Sequence, residues 1–273
     1  MLPDVQQWRE GFPKKLIPLV GIESLQIPVN VFYPGGDYVL TPASVDMFCS
    51  LTEKLKGVNM SRFVQVALRE LASKTGFVAE NVARALAVTQ TELESTTALI
   101  RVRFTYFWRT ESPSTKLQQP LPLQCAVVGY REEKEQQVVV QTSVPYHSLC
   151  PCALELTSKQ SSHNQRSFAH IAVVVGDRVP LFEEFVSIVE AHASACIREL
   201  TKRADEKELV LTAKQRPRFV EDMVRLLSLE LDRSLKQAII RGYFVKVVHK
   251  ESIHTHDAVA YMFKNFDLWR LFV

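Results

Sequence analysis

The sequence predicts an α+β protein made of two tandem ββααββ units, with antiparallel sheets that carry their helices on one face. Three observations predict it. Some stretches alternate apolar and polar residues with the two-residue period of a half-buried strand, and others repeat apolar residues at the spacing of an amphipathic helix. These stretches follow one another as strand, strand, helix, helix, strand, strand, and that order occurs twice. The charged run Glu132-Glu133-Lys134-Glu135 separates the copies, which gives a flexible N-terminal segment over 1–18, a first unit over 19–132 and a second over 133–273.

In the first unit, Ser24 to Tyr33 alternates as a strand, and Pro34-Gly35-Gly36-Asp37 supplies the turn into another extended stretch. Ser61 to Lys74 gathers Phe63, Val64, Val66, Ala67, Leu71 and Ala72 on one helical face, and a second helix over Ala79 to Val88 follows Gly76. Ala98 to Trp108 and Leu121 to Tyr130 return to strand alternation. In the second unit, Gln136 to Tyr146 and Phe168 to Val175 are predicted strands. Pro180 to Leu200 is predicted as one helix on the spacing of Leu181, Phe185, Ile188, Val189, His192 and Cys196, and Pro217 opens another that runs to about Ile239. Strands over Tyr243 to Val248 and Ala258 to Phe263 close the unit. Sheets covered by helices on one face need a partner on the other, which predicts closure into a barrel through oligomerisation.

With 273 residues and 47% hydrophobic content, the chain can bury a sizeable core. An odd count of five cysteines, without a leading basic-then-apolar segment, points to a reducing cytoplasm. No apolar run approaches the length that spans a bilayer, which argues against a membrane role. The net charge of +3, from 33 basic and 30 acidic residues, gives no overall field for nucleic acid. An anionic ligand must then be held by local arginines and lysines, which points to a small phosphorylated molecule.

The chemistry concentrates in the second half. Cys150-Pro151-Cys152, followed by His163-Asn164-Gln165-Arg166, puts two thiols, an imidazole and a guanidinium in one short segment. Thiolate and imidazole suit zinc or a neighbouring divalent transition metal, and a thiol outside the metal shell can act as a nucleophile or acid. Thiols one residue apart, around a proline, do not suit a mutual disulfide, and a structural zinc site would add a second thiol pair, whereas Cys49, Cys125 and Cys196 are solitary. His192 and Cys196, four apart on the predicted helix, share an apolar stripe and are read as core. Taken alone, Lys202 to Lys207 is a solvated loop of mixed charge. Glu221 and Asp222 suit the first turn of a helix through its dipole, while the neighbouring Phe219 and Val220 suggest a partly buried site. In Glu251-Ser-Ile-His-Thr-His-Asp257, His254 and His256 share a strand face, and Glu251 can meet His254 at one ion only if the chain turns there.

Val144-Pro-Tyr-His-Ser-Leu-Cys-Pro-Cys152, His163-Asn-Gln-Arg166, Asp205-Glu-Lys207, Phe219-Val-Glu-Asp222 and Glu251-Ser-Ile-His-Thr-His256 together resemble the type IB GTP cyclohydrolases in order and spacing. Leu2-Pro-Asp-Val-Gln6, Val20-Gly-Ile22 and Gly57-Val-Asn-Met-Ser-Arg-Phe63 extend the resemblance over nearly the whole chain. It implies the tunnelling fold (T-fold), two copies per chain, assembled as a homotetramer. The implied activity turns GTP and water into 7,8-dihydroneopterin triphosphate and formate, the first step of folate synthesis. The implied cofactor is a divalent metal ion, zinc, manganese or iron. Cys150, Glu206 and His254 are its implied ligands, with Glu251 joining at higher coordination. Cys152 and His163 are the implied catalytic partners, with Cys150 beside them, and Glu221 is the guanine anchor. Arg166, Arg62, Lys202 and Arg203 are candidates for the triphosphate, and His256 for further substrate contact. Asn59 stands where the family usually has histidine, and it cannot carry a proton. Competing readings are an archaeal-type cyclohydrolase with a cyclic-phosphate product, a nicotinamide-dependent nitrile reductase of the same fold, and a zinc-stabilised binding module without catalysis.

Overall fold

The computed structural model describes residues 5–72 and 74–267. Residues 1–4 of the expected N-terminal segment, Ser73 of the expected first helix and residues 268–273 of the expected second unit lie outside the described residues. The chain forms two compact units, one from Met1–Thr105 with Ala126–Val140 and the other from Tyr106–Cys125 with Gln141–Val273. Three long strands, β3 (Thr97–Glu111), β4 (Gln118–Glu132) and β5 (Glu135–Leu149), pass from one unit into the other.

The first unit adds β1 (Ile17–Tyr33), β2 (Asp37–Leu51), α1 (Met60–Glu70) and α2 (Val78–Glu92). The β1–β2 hairpin closes at the Tyr33–Asp37 pair, where Gly35 and Gly36 take φ of 103° and 91°, angles costly for a side-chain-bearing residue. β2 continues antiparallel onto β3 from Ala43–Phe104 to Cys49–Ala98. One face of this sheet buries Val45, Met47, Cys49, Ile100 and Val102, and the helices bury Phe63, Val66, Val82, Ala85 and Leu86. α2 lies so close to β4 that a Cβ on Gly129 would fall 2.5 Å from Val82 Cγ1. The expected first helix stops short: Leu71 and Ala72 both donate to the Ala67 carbonyl in a closing turn, so the buried Leu71 prolongs the apolar pattern past the helix end.

On the opposite face, Asp46 is buried and accepts hydrogen bonds from the Ser24 amide at 2.8 Å, Arg101 Nε at 2.8 Å and Arg103 Nη1 at 2.7 Å. Ser24 has φ of 61° in a β1 bulge between Ile22 and Leu25, and the Asp46 carboxylate pins that bulge. Burial pulls the Asp46 pKa up, but the Ser24 amide and the two guanidiniums outweigh it and hold the group below its ordinary value.

The second unit adds α3 (Pro151–Leu156), β6 (Asn164–Val175), α4 (Phe182–His192), β7 (Ala195–Cys196), α5 (Arg203–Gln215), α6 (Val220–Lys236), β8 (Ile240–His249) and β9 (Ala258–Lys264). Its sheet runs β3-β4-β5-β6-β8-β9, with β7 on β5. α6 packs on β8 and β9 and against α4, burying Met223, Val224, Leu227 and Leu231 with Phe185, Val186 and Val189.

Two expectations fail here. The helix expected over 180–200 ends at His192, because Ala193 turns extended (φ −60°, ψ 157°) and Ala195 and Cys196 then pair with His147 and Tyr146 of β5. His192 and Cys196 are therefore not partners on one helix. The stretch 202–207, taken alone as a solvated loop, starts α5. There Asp205 Oδ2 accepts from the Lys202 amide at 2.9 Å and so closes the first turn of the helix back onto its N-cap. Asp205 is fully buried and also accepts from the Ser114 amide (2.9 Å), the Thr115 amide (2.8 Å) and the Thr115 hydroxyl (2.7 Å). Burial pulls its pKa up, yet these bonds dominate and bring it down to about 2.

Candidate active site

The motifs meet at one end of the second unit because the sheet turns its strands there. β5 ends at Leu149, so Cys150 becomes the N-cap of α3, with its half-buried Sγ accepting from the Ala153 amide at 3.5 Å. Cys152 follows in the first turn of α3 and is exposed. His163 lies just before β6, and its carbonyl accepts from the Cys150 amide at 3.2 Å, which ties the thiol turn to the imidazole. β8 pairs with β6 down to Ser167–His249, and the Lys250 amide then donates to the Arg166 carbonyl at 3.1 Å. Glu251, the next residue, is thereby brought to His163.

The His163 ring is largely buried, with Nδ1 3.1 Å from Gln165 Oε1 and 3.7 Å from Glu251 Oε2. Glu251 Oε2 is itself buried and has no hydrogen-bond partner. An orphaned carboxylate oxygen is costly in a protein interior, and a cation is one group that relieves it. Beneath it runs a buried polar ladder. Gln165 Nε2 donates to Ser148 Oγ at 2.9 Å, Ser148 and Ser167 share a hydrogen bond of 2.8 Å, and beside Ser167 the Tyr146 hydroxyl lies 2.9 Å from His249 Nε2. Burial lowers the His249 pKa to about 4, against a smaller upward pull from Asp222, and it pushes the Tyr146 phenol up.

An apolar cluster of Leu149, Leu154, Ala195 and Ala213, with Leu209 against it, fastens α3 and α5 to the end of β5. The Arg218 amide donates to the Leu149 carbonyl at 3.1 Å and brings the start of α6 there as well. Asp222 caps α6 by accepting from the Phe219 amide at 2.9 Å, which leaves its neighbour Glu221 exposed on the first turn.

The remaining candidates fall in different places. His254 and His256 sit in the exposed turn between β8 and β9 with their rings stacked at 5.1 Å, so they lie together through a turn and not on the strand face expected for them. Arg166, Lys202, Arg203 and Glu206 are exposed, on β6 and at the start of α5. Arg62 belongs to the first unit, where its guanidinium donates to the Glu92 carbonyl at 2.6 Å at the end of α2. Among the described residues no three His, Cys, Asp or Glu side chains gather tightly enough to enclose an ion. The donor chemistry of thiol, imidazole and orphaned carboxylate fits a divalent ion, while the full ligand set is not assembled within the chain as it stands.

The family model for type I GTP cyclohydrolase FolE2 matches residues 2–260. The chain belongs to the type I GTP cyclohydrolase FolE2 family. It is 35% identical over 259 residues to the GTP cyclohydrolase FolE2 of Dictyoglomus turgidum, covering 95% of this chain and 96% of that protein. To the GTP cyclohydrolase FolE2 of Thermotoga neapolitana it is 36% identical over 261 residues, covering 95% and 96%. Among solved structures, uricase from Arthrobacter globiformis superposes with a TM-score of 0.51 at 9% identity, over 94% of this chain and 95% of that one. That likeness agrees with the expected tunnelling fold and extends no further than the fold. Within a FolE2 chain, sequence reasoning found the thiol turn, His163 and the Glu251 turn through their chemistry. It missed Gln165, Ser148, Ser167, Tyr146 and His249 as a connected group. The signal for it was a set of polar residues in register on neighbouring strands, which shows only once the pairing is known.

Proposed function

We propose that this chain is a metal-dependent GTP cyclohydrolase of the type IB kind, which converts GTP and water to 7,8-dihydroneopterin triphosphate and formate at the first step of folate synthesis. The observation that carries the metal reading is the buried, unpartnered Oε2 of Glu251 beside His163. Cys150, Glu206 and His254 complete the proposed ligand set with Glu251, and zinc, manganese or iron suits such mixed donors. A bound divalent ion supplies Lewis acidity at neutral pH, lowering the pKa of water from near 16 to roughly 7.

The chain's own groups do the rest. Glu221 accepts from the ring amide and amino group of guanine. Arg166, Lys202, Arg203 and Arg62 are the proposed cations for the triphosphate, and His256 a further substrate contact. His163 takes and returns protons as the imidazole ring of guanine opens, with the exposed Cys152 thiol as its partner. Assembly of the proposed homotetramer, in the cytoplasm, covers the sheet faces and brings exposed donors toward their ligand positions. Among the described residues no helix is long and apolar enough to cross a membrane.

The test is to incubate metal-stripped protein with GTP, with and without manganese or zinc, and to assay formate together with the fluorescent oxidised pterin. Metal-dependent appearance of both products supports the reading. Tight metal binding without either product rejects it. Glu251→Gln is expected to weaken metal binding 10- to 100-fold in a competition titration with a chromophoric chelator, as roughly expected for the loss of a ligating or supporting carboxylate.

A further inference from the structure

We propose that Gln165 is a positioning residue, holding the His163 imidazole as the Nδ1–H tautomer so that Nε2 is the nitrogen that exchanges protons with substrate. The inference rests on the reading of His163 as the proton carrier. Gln165 is only 5% exposed, and its amide has one accepting and one donating end. The donating end is committed, because Nε2 gives its proton to Ser148 Oγ at 2.9 Å. The accepting end therefore faces His163, with Oε1 3.1 Å from Nδ1. An amide oxygen can only accept, so Nδ1 must carry the hydrogen. Glu251 Oε2, the other acceptor near that nitrogen, is 3.7 Å away, beyond hydrogen-bond reach.

The amide is not free to turn over by itself. Ser148 and Ser167 share a hydrogen bond of 2.8 Å that either hydroxyl can donate, and the Tyr146 hydroxyl, beside Ser167, lies 2.9 Å from His249 Nε2. Turning the Gln165 amide over requires the Ser148 hydroxyl to donate to it instead of accepting, in surroundings where Ser148, Ser167 and Tyr146 are each fully buried. A buried amide committed to Ser148 thus selects the tautomer of the ring it faces, in the way a carboxylate or carbonyl behind a histidine does elsewhere.

The experiment uses the metal-free full-length chain labelled with 15N at histidine, with two-bond 1H–15N spectra recorded above the imidazole titration and His163 assigned by His163→Asn. Wild type is expected to show a protonated Nδ1 and a bare Nε2. Gln165→Met is expected to move His163 to the Nε2–H form and, in the metal-loaded enzyme, to lower kcat about 100-fold with KM for GTP little changed. Gln165→Glu, which keeps an acceptor in place, is expected to retain the wild-type pattern. An Nε2–H His163 in wild type, or an unchanged tautomer in Gln165→Met, overturns the proposal. If Gln165→Met does not fold, the wild-type and Gln165→Glu spectra decide alone. Failure of GTP turnover in wild type with every ion counts against the functional reading instead, and leaves the tautomer readable.

Discussion

Asp46 lies fully buried with its charge answered by two guanidiniums and one backbone amide, far from any proposed chemistry in the sequence. Because its folded pKa lies below the ordinary value of 3.8, its contribution to stability is complete above that value and is lost as pH falls through the lower folded one. Asp46→Asn is expected to destabilise the chain by about 2 kcal/mol at neutral pH, the size of a charge-assisted hydrogen bond, and to flatten the acid limb of a stability-against-pH curve below about pH 4. Urea unfolding at a series of pH values measures both. At the proposed site, Glu221→Ala is expected to weaken GTP binding by about 1–3 kcal/mol, roughly 5- to 150-fold in Kd, because the guanine donors lose their acceptor. Calorimetric titration that returned wild-type affinity would remove Glu221 from guanine recognition. Cys152→Ser is expected to keep bound metal and to lose turnover, and a fully active Cys152→Ser enzyme would exclude the thiol from proton handling.

Elements differ in how openly the sequence declares them. The long strands were legible because Ile100, Val102, Phe104 and Tyr106 alternate with Arg101, Arg103 and Thr105, and one buried face enforces that period. α5 was not, since it buries little beyond Asp205 and Ala213, and its first turn reads as a run of mixed charge until the capping role of Asp205 is seen. The helix over 180–200 was drawn too long because Cys196 satisfies a helical spacing and a strand pairing equally well; only its bonds to β5 decide. The thiol turn and the Glu251 turn were legible from donor chemistry alone. Their meeting depends on β6 and β8 being neighbours, which local periodicity does not encode. α2 gives an element-scale prediction. Gly129→Ala puts a methyl 2.5 Å from Val82 Cγ1 and 2.8 Å from Leu86 Cδ1, so these side chains or the helix that carries them must shift. A loss of about 1–3 kcal/mol is expected in urea unfolding, as for other overpacked cores.

For the molecule as a whole, the buried Glu251 oxygen has no hydrogen bond and only His163 Nδ1 at 3.7 Å to face it, so its charge is only partly answered. In the proposed metal-bound state, ligation would answer that charge and add binding free energy to the folded state alone. At an ion concentration about 100-fold above Kd the stabilisation is about 2.7 kcal/mol, so stripping the protein with a chelator is expected to lower Tm, with recovery on adding manganese or zinc. A melting curve indifferent to chelator would mean that no ion is held in the folded state. In the second unit, among the described residues, β9 pairs on one side, with β8, and exposes Val259, Tyr261 and Phe263 in alternation. In the first unit, β1 pairs with β2 alone among the described residues. These margins are where the proposed tetramer would continue its sheets.

The five cysteines differ sharply as targets for an electrophile. Burial raises the thiol pKa of Cys49 to about 11 and those of Cys125 and Cys196 to about 12, so at neutral pH they hold essentially no thiolate. Cys150 is half-buried, with its sulfur engaged at the head of α3, whereas Cys152 stands open one step further along. Iodoacetamide in modest excess should therefore mark Cys152 first. The rate of that alkylation, followed by intact-mass spectrometry, becomes a footprint of whatever binds beside the thiol turn, and it needs neither turnover nor an added reporter.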